Sequence, residues 1–471
     1  MIALVNRLKK STVAKNFSYI TMGSILAQGI NLLSLVQIAR IFRPDDYGMY
    51  TFLITQAFLL YTLGELGIRS IVIRTIARNK LTTGSVVYNG MLLRGTCVLL
   101  FFGCYAVYNY IGGSLSSIQL LLILFFALSY CISNLFEAAF WGHEKMLPPA
   151  LINVTTSLIW LALVYLLPTK YLTVNGLFFI YFLINLITGC SFYIILRKLN
   201  LLIGKKQPFV ASTITLLRES WPYFSLILLN LPISYLSNNF LDINSSNDEI
   251  GYFNLAQKLT SPVSLIIGFS LSAIFPNLSS LWLKDQPRFA RLVSRGVKLF
   301  LLFAVVVCFV FTLFAREVVL LFFSSEYFPV IDVCRLQIWY VFLMGFNSLI
   351  GTIWGATNKE KLLFTSGLVN ALISTPLLYW GSFYGALGLS YGYVISFAIF
   401  EFYLWFLFRK TVKTTISQAG LIWLLVGGLF AGSYFFLAEL QLAYRIVVAV
   451  LVLGAIGYYF LLQKKGSTNT A

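Results

Sequence analysis

The chain has 471 residues, of which 59% are hydrophobic and 11% are charged, and its formal net charge is +18. A soluble domain has roughly 25% charged residues, so this composition excludes a soluble enzyme and predicts a membrane protein. The lysines and arginines lie in short clusters between long apolar runs. That distribution does not form the basic face of a nucleic-acid-binding module, and we expect no nucleic-acid partner.

Apolar windows of membrane-spanning length recur along the whole chain. Because about 20 apolar residues cross the hydrocarbon core, they predict an all-α polytopic membrane protein with about 14 transmembrane helices. The windows lie at residues 16–39, 47–68, 86–110, 118–141, 147–168, 173–196, 220–241, 252–282, 297–315, 333–356, 362–381, 385–408, 418–437 and 444–462.

The loops between these windows alternate in charge. When the N-terminus is assigned to the cytoplasm, the inner segments hold about 26 lysines and arginines and the outer segments about 6. Cytoplasmic loops are the ones that are rich in these residues. We therefore expect both termini in the cytoplasm, and we attribute most of the net charge to orientation in the membrane.

A short motif occurs twice, at the start of the second and of the eighth window. Residues 46–50 read DYGMY and residues 249–253 read EIGYF. Six spans per repeat is an even number, so both units insert with the same orientation. We expect two six-helix lobes around a central cavity, followed by two additional C-terminal helices. The expected bounds are 1–205 for the N-lobe, 206–413 for the C-lobe, and 414–471 for the last two spans and a short tail.

No pattern in the sequence predicts a cofactor, a metal site or nucleotide hydrolysis. The glycine-rich phosphate loop of ATPases is absent. The one histidine, His143, has no second histidine at ligand spacing, and we expect it to be solvated in an inner loop. A membrane glycan polymerase stays an alternative, although the longest outer loop has only about 15 residues, which is short for holding a sugar and a catalytic acid.

Basic side chains inside the windows are candidate functional groups, because each costs roughly 2.5 to 3.5 kcal/mol on insertion scales. Lys258 shares one helical side with Asn254 and Gln257, which predicts a polar stripe toward a cavity. Arg94 lies about 12 Å deep in the third window. Its side chain either faces a cavity or reaches back to the headgroups.

Two acids are candidates for coupling an ion. Glu401 lies deep in the twelfth window, where a proton or cation site and a structural ion pair are equally compatible with its position. Glu65 lies close to an inner helix end, so ordinary placement at the membrane interface is its alternative.

Three stretches resemble the polysaccharide transporter branch of the multidrug/oligosaccharidyl-lipid/polysaccharide exporter superfamily. Residues 38–50 (IARIFRPDDYGMY) are similar to its first-loop motif. Residues 63–68 (LGELGI), followed by Arg74, are similar to the end of its second span, and residues 248–276, which begin DEIGYFNLAQK, to its eighth-span signature. In sister groups the first span holds arginines (the lipid II flippase) or a cation-binding acid (multidrug antiporters). Here residues 16–39 have no charge.

The resemblance implies a V-shaped transporter of the bacterial cytoplasmic membrane. It would flip undecaprenyl-diphosphate-linked oligosaccharides, such as O-antigen or capsule units, from the inner to the outer leaflet. Implied partners are this substrate, membrane lipids, and glycan polymerase and chain-length machinery, with no cofactor. A cation-coupled small-molecule antiporter of the same fold and a glycan polymerase stay open. Candidate substrate-binding residues are Lys258, Arg94, Arg40 and Arg74 for the diphosphate, with Asn254 and Gln257; candidate ion-coupling residues are Glu401 and Glu65.

Overall fold

The structure is a computed structural model, and it describes residues 12–113, 115–204, 209–411 and 427–454. Every long regular element in these ranges is a helix. The helices are α1 (Thr12–Ile41), α2 (Pro44–Glu65), α3 (Ile68–Arg78), α4 (Thr83–Gly112), α5 (Ser117–Gly142), α6 (Leu147–Leu166), α7 (Val174–Lys198), α8 (Phe209–Leu231), α9 (Ser237–Asn244), α10 (Asn247–Lys284), α11 (Gln286–Phe322), α12 (Val330–Ala356), α13 (Glu360–Ser382), α14 (Gly385–Thr411), α15 (Gly427–Leu437) and α16 (Leu442–Gly454).

The all-α membrane architecture expected from the apolar windows is confirmed. Within the described ranges, 11 helices are long and apolar enough to cross a membrane, and α2 and α3, bent by 51° at a short break, make a twelfth if they form one span. The first twelve predicted windows each coincide with one of these helices or helix pairs. The last two windows lie partly outside the described residues, so the total of about 14 spans stays a prediction.

The chain divides into two compact units, Met1–Gly251 and Tyr252–Ala471. The first unit includes α9 and the turn before it, and both are bonded to α2. The Tyr235 hydroxyl accepts a hydrogen bond from Thr62 of α2 at 3.0 Å, and Asn238 donates to Thr55 at 2.8 Å. The lobe bounds 1–205, 206–413 and 414–471 stay predictions.

The core of the first unit surrounds α5. Its start is fixed by a capping box, in which the side chains of Ser116 and Gln119 each accept a hydrogen bond from the other residue's backbone N–H. Ile68, Val72 and Ile76 recur at four-residue spacing on α3 and are buried in the apolar cluster that also contains Phe140 of α5. This packing leaves the opposite side of α5 to face other helices.

The repeated motif marks a close approach of two helix starts in the first unit. A Cβ on Gly251 would lie 2.5 Å from the Pro44 carbonyl oxygen and 3.2 Å from the Gly48 nitrogen. A Cβ on Gly48 would likewise meet the backbone of Asn247. Only glycine allows backbones to come this close, so the glycine common to both copies has a packing explanation.

In the second unit, α12 is the most enclosed helix, and buried arginines join the C-terminal helices to their neighbours. Arg335 of α12 is bonded to Glu439 at 2.7 Å, and Arg445 of α16 to Glu317 of α11 at 2.6 Å. Both guanidinium groups are almost fully buried. Such bidentate or networked pairs fix the position of a helix more firmly than an exposed pair does.

Candidate functional site

A polar cavity of about 450 Å³ lies inside the first unit, among α1, α5, α6 and α7. Each of these apolar helices contributes polar or aromatic side chains at three- and four-residue spacing, so they share the helix face that lines the cavity. The contributions are Ser24, Gln28 and Asn31 from α1; Tyr130, Asn134, Glu137 and Trp141 from α5; Asn153, Thr156 and Trp160 from α6; and Tyr181, Asn185 and Thr188 from α7.

Arg94 of α4 supports the α5 wall of this cavity from behind. Its side chain is 0% exposed, and it donates to the Asn134 carbonyl oxygen Oδ1 at 3.2 Å and to Glu65 Oε1 at 3.2 Å. The hydroxyl of Tyr61 donates to the other Glu65 oxygen at 3.0 Å. The sequence suggested separate roles for these two residues, diphosphate binding for Arg94 and ion coupling for Glu65. In the structure they form one ion pair.

A second arginine supports the same wall one turn further along. Arg69 of α3 lies 3.0 Å from the Glu137 carboxylate and its guanidinium lies 5.3 Å from the centre of the Trp141 ring. Both contacts stabilise the arginine and hold its partner side chains at the cavity. None of the described residues that line the cavity is a lysine or an arginine, so the described lining supplies no cation of its own.

Three amides at the cavity have unused hydrogen-bonding capacity. The side chains of Gln28, Asn31 and Asn153 make no hydrogen bond to any residue in the described part of the chain. Asn185 differs, because its amide donates to the Tyr181 carbonyl oxygen on its own helix at 3.0 Å. An amide offers two donors and one acceptor, so these three groups are available to a polar ligand.

The remaining basic candidates are not among the described residues that line this cavity. Arg74 of α3 forms an ion pair with Glu219 of α8, and both side chains are partly exposed. Arg40 is exposed near the end of α1. Lys258 of α10 belongs to the second unit, is exposed, and has no ion pair or side-chain hydrogen bond within the described ranges.

The other candidates in the second unit differ in exposure. Asn254 is buried and Gln257 is half-buried, although both share a helical side with Lys258. Glu401 of α14 is 1% exposed, and in the residues that the structure covers its carboxyl group accepts no hydrogen bond from a side chain and forms no ion pair. The backbone of Asn347 on α12 lies close to this carboxyl group.

Most of the cavity could not be predicted from the sequence, and one histidine lies in a different environment from the one expected. Polar residues at three- and four-residue spacing in α5, α6 and α7 were the available signal, but nothing in one helix shows that it faces the others. His143, expected to be solvated, is buried, and its Nε2 lies 2.9 Å from the Thr83 hydroxyl. Burial lowers the pKa of His143, and the nearby Lys80 charge lowers it further.

Comparisons with known proteins agree on the fold. Residues 13–282 match the model of a family described as "Polysaccharide biosynthesis protein". The structure is similar to the lipid II flippase MurJ in an inward closed conformation, with a TM-score of 0.74 and 18% identity over 94% of this chain and 99% of that chain. It is similar to a mutant of the Vibrio cholerae MATE transporter VcmN, with a TM-score of 0.59 and 16% identity over 87% and 98%. An inward-facing multidrug resistance MATE family transporter of the MOP superfamily gives a TM-score of 0.64 and 14% identity over 82% and 96%. No curated protein matches the chain.

Proposed function

The chain belongs to the polysaccharide biosynthesis protein family, in the polysaccharide transporter branch of the multidrug/oligosaccharidyl-lipid/polysaccharide exporter superfamily, and on that premise we propose that it is a lipid-linked oligosaccharide flippase. Its substrate is an undecaprenyl-diphosphate-linked repeat unit of a surface polysaccharide, which it moves from the inner to the outer leaflet of the cytoplasmic membrane by alternating access. It performs no catalytic step on the glycan.

The observation that supports this proposal is the polar cavity among α1, α5, α6 and α7. A sugar headgroup cannot cross hydrocarbon unaided, because each hydroxyl that loses water without a new partner costs several kcal/mol. Amide, hydroxyl and aromatic side chains inside an apolar helix bundle replace those lost partners. A cavity of this chemistry fits a hydrophilic cargo.

Lys258 is the first candidate for binding the diphosphate. It is an exposed cation on a membrane-spanning helix, and the described residues provide it with no carboxylate partner. Arg94 and Arg74 already have carboxylate partners, so Arg94 acts by positioning Asn134. Arg40, Asn254 and Gln257 complete the proposed substrate-binding set.

The lipid intermediates of a deletion strain test the function. A strain that lacks the flippase accumulates single repeat units on the inner leaflet and displays none outside, and the intact chain restores export. A strain that lacks a polymerase still displays single units on its surface, and that result would reassign the chain. Drug sensitivity with normal surface glycan would instead assign it to the antiporters.

A charge reversal tests the diphosphate site. The Lys258→Glu variant is expected to abolish glycan export at normal protein abundance, because it replaces the attracting cation with an anion, and Lys258→Arg is expected to keep it. Lys284→Glu is the matched control, since Lys284 is exposed at the end of the same helix. Normal export by Lys258→Glu would remove Lys258 from the site.

A further inference from the structure

The cavity of the first unit has the hydrogen-bonding groups of a carbohydrate site. The free amides of Gln28, Asn31 and Asn153 lie on two facing helices, α1 and α6. Gln28 and Asn31 are exposed and Asn153 is half-buried, and their unused donors and acceptors match a ligand that is rich in hydroxyl groups. A ligand that offers only apolar surface would leave all three unsatisfied.

Aromatic rings line the same space. Trp160 of α6 and Tyr181 of α7 lie 5.2 Å apart, ring centre to ring centre, at an angle of 56°. Aromatic side chains with a polar edge present a flat apolar surface and a hydrogen-bonding group together. A pyranose ring has the same two faces, because its C–H groups are apolar and its hydroxyls lie around the rim.

The charge of the cavity distinguishes among sugars. Glu137 is the one carboxylate among the described lining residues, and Arg69 contacts only one side of it, through Oε2 at 3.0 Å. The described lining has no lysine or arginine, so an anionic group that enters faces the Glu137 carboxylate, and Arg69 is already paired with that carboxylate. Arg69 offsets part of the Glu137 charge, but repulsion between two carboxylates is greater in a partly desolvated site than in water.

The cavity is also large enough for a sugar. Tyr130 and Trp141, its extreme contributions from α5, are separated by about 16 Å along the helix. Its volume of about 450 Å³ lies within the roughly 300 to 1,000 Å³ of ordinary small-molecule sites.

Resting on the proposed function, we propose that this cavity is a subsite for an uncharged sugar of the repeat unit, and that Glu137 excludes acidic sugars and the diphosphate from it. The amides of Gln28, Asn31 and Asn153 bind the sugar hydroxyls, and the Trp160 and Tyr181 rings pack on its apolar face. The diphosphate binds outside this cavity.

Binding of free methyl glycosides tests the subsite without any lipid carrier. The full chain is reconstituted in nanodiscs, and saturation-transfer NMR measures binding of methyl glucoside, methyl galactoside and methyl N-acetylglucosaminide beside the methyl glucuronoside and galacturonoside. At least one neutral glycoside is expected to bind at least about tenfold more tightly than its uronate. Glu137→Gln is expected to reduce that difference. Equal binding of each neutral glycoside and its uronate, or no binding of any neutral glycoside, would overturn the proposal.

Matched variants locate the binding. Thr155 and Thr156 both donate to the carbonyl four residues back at 2.9 Å, but only Thr156 lines the cavity. Thr156→Val and Asn153→Leu are expected to weaken binding by about threefold to tenfold, and Thr155→Val is expected to leave it unchanged. If a variant of α6 does not fold, Gln28→Leu on α1 replaces it as the test of the subsite. Equal effects of both threonine variants would place the sugar elsewhere.

The same samples separate failure of the subsite from failure of the flippase. Loss of lipid translocation with intact glycoside selectivity would overturn the proposed function and keep the subsite. Translocation that continues without glycoside binding would overturn the subsite alone. NMR signals of the Glu137 side chain that change with sodium chloride but not with any glycoside would assign the cavity to a cation, and would also overturn the subsite.

Discussion

Arg94 shows how this bundle accommodates an ionised side chain far from water. Its guanidinium is 0% exposed and contacts one carboxylate and one amide, while its Nε has no hydrogen bond among the described residues. A buried pair gains little over an apolar pair of the same shape, but removal of one partner leaves an uncompensated charge. Pairing is therefore a condition for either residue to be tolerated.

A double-mutant cycle measures this dependence. Arg94→Met and Glu65→Gln alone are each expected to lower stability, by up to about 3 to 5 kcal/mol for the arginine. The double variant should lose less than the sum, because neither charge is then left alone. Thermal unfolding in detergent, followed by intrinsic fluorescence, gives the comparison. Additive losses would show that the two side chains are not coupled.

His143 is a residue outside the spans with a pKa that depends on folding. Burial first, and then the charge of Lys80, lower its pKa in the folded state, and Lys145 adds to the effect. Since the folded pKa is below the unfolded value of about 6.5, the neutral ring stabilises the fold above that pH. The contribution is lost as pH falls through the folded pKa.

The unfolding temperature is therefore expected to fall more steeply for the wild type than for His143→Gln when pH drops from about 7.5 to about 5.5. Carboxylates that protonate in this range do so in both proteins, so the difference between the two curves isolates the imidazole. Parallel curves would mean that His143 has the same pKa in the folded and the unfolded chain.

At the scale of elements, α5 has two different faces. Leu135 and Phe140 are fully buried in the apolar cluster with α3, whereas Asn134 and Glu137 line the cavity. Arg94 and Arg69 fix those two polar side chains from α4 and α3. One side of α5 is fixed by apolar packing, and the polar side chains on its other side are held by arginines of neighbouring helices. Such a helix can present a rigid wall to a ligand.

The helix starts at Gly48 and Gly251 provide a prediction about packing. Gly48→Ala and Gly251→Ala place a methyl group against backbone atoms that cannot move without shifting a helix. Each is expected to destabilise the protein by about 1 to 3 kcal/mol or more. Gly103→Ala in α4 is the control, since a Cβ there meets nothing within 4 Å. It should stabilise the helix by about 0.5 to 1 kcal/mol. Equal melting temperatures for Gly48→Ala and the wild type would contradict the close approach.

The helices were predictable because each is a local pattern. An apolar run such as residues 118–141 predicts its helix, α5, without knowledge of any neighbour. The repeat was also visible, although its cause, the contact of Gly48 with Gly251, was not. His143 was misplaced because its burial depends on Thr83, on another helix start. The hydrophilic character of a loop does not show whether a residue in it packs against another helix.

The site was predictable only in part, because it depends on side chains that converge from distant parts of the chain. Depth in a span identified Arg94, but its partner Glu65 lies on a different helix, so the pair could not be inferred. The cavity takes its polar groups from four helices, and each group alone is an ordinary polar residue in an apolar run. Only the tertiary structure brings these groups to the same cavity.

At the scale of the whole molecule, the membrane potential bears on how transport is driven. An anionic substrate that leaves a negative-inside cell gains about 2.3 kcal/mol per charge per 100 mV. Export of the proposed diphosphate substrate therefore needs no coupled ion. A buried carboxyl group in a membrane span is nevertheless costly to maintain, and Glu401 forms no ion pair within the described ranges. Such a group is suited to bind a proton in one state and release it in another.

Reconstitution decides whether Glu401 couples transport to an ion. Proteoliposomes that contain the chain and a lipid-linked oligosaccharide are held at fixed potential, with and without a proton or sodium gradient. We expect the gradient to accelerate flipping by the wild type and to have no effect on Glu401→Gln, which should still flip substrate when the potential alone is imposed. Glu326→Gln is the control, because Glu326 is an exposed acid between two spans of the same unit. A gradient effect that survives in Glu401→Gln would assign the coupling to another group. No gradient effect on the wild type would assign Glu401 a structural role and leave the membrane potential as the driving force.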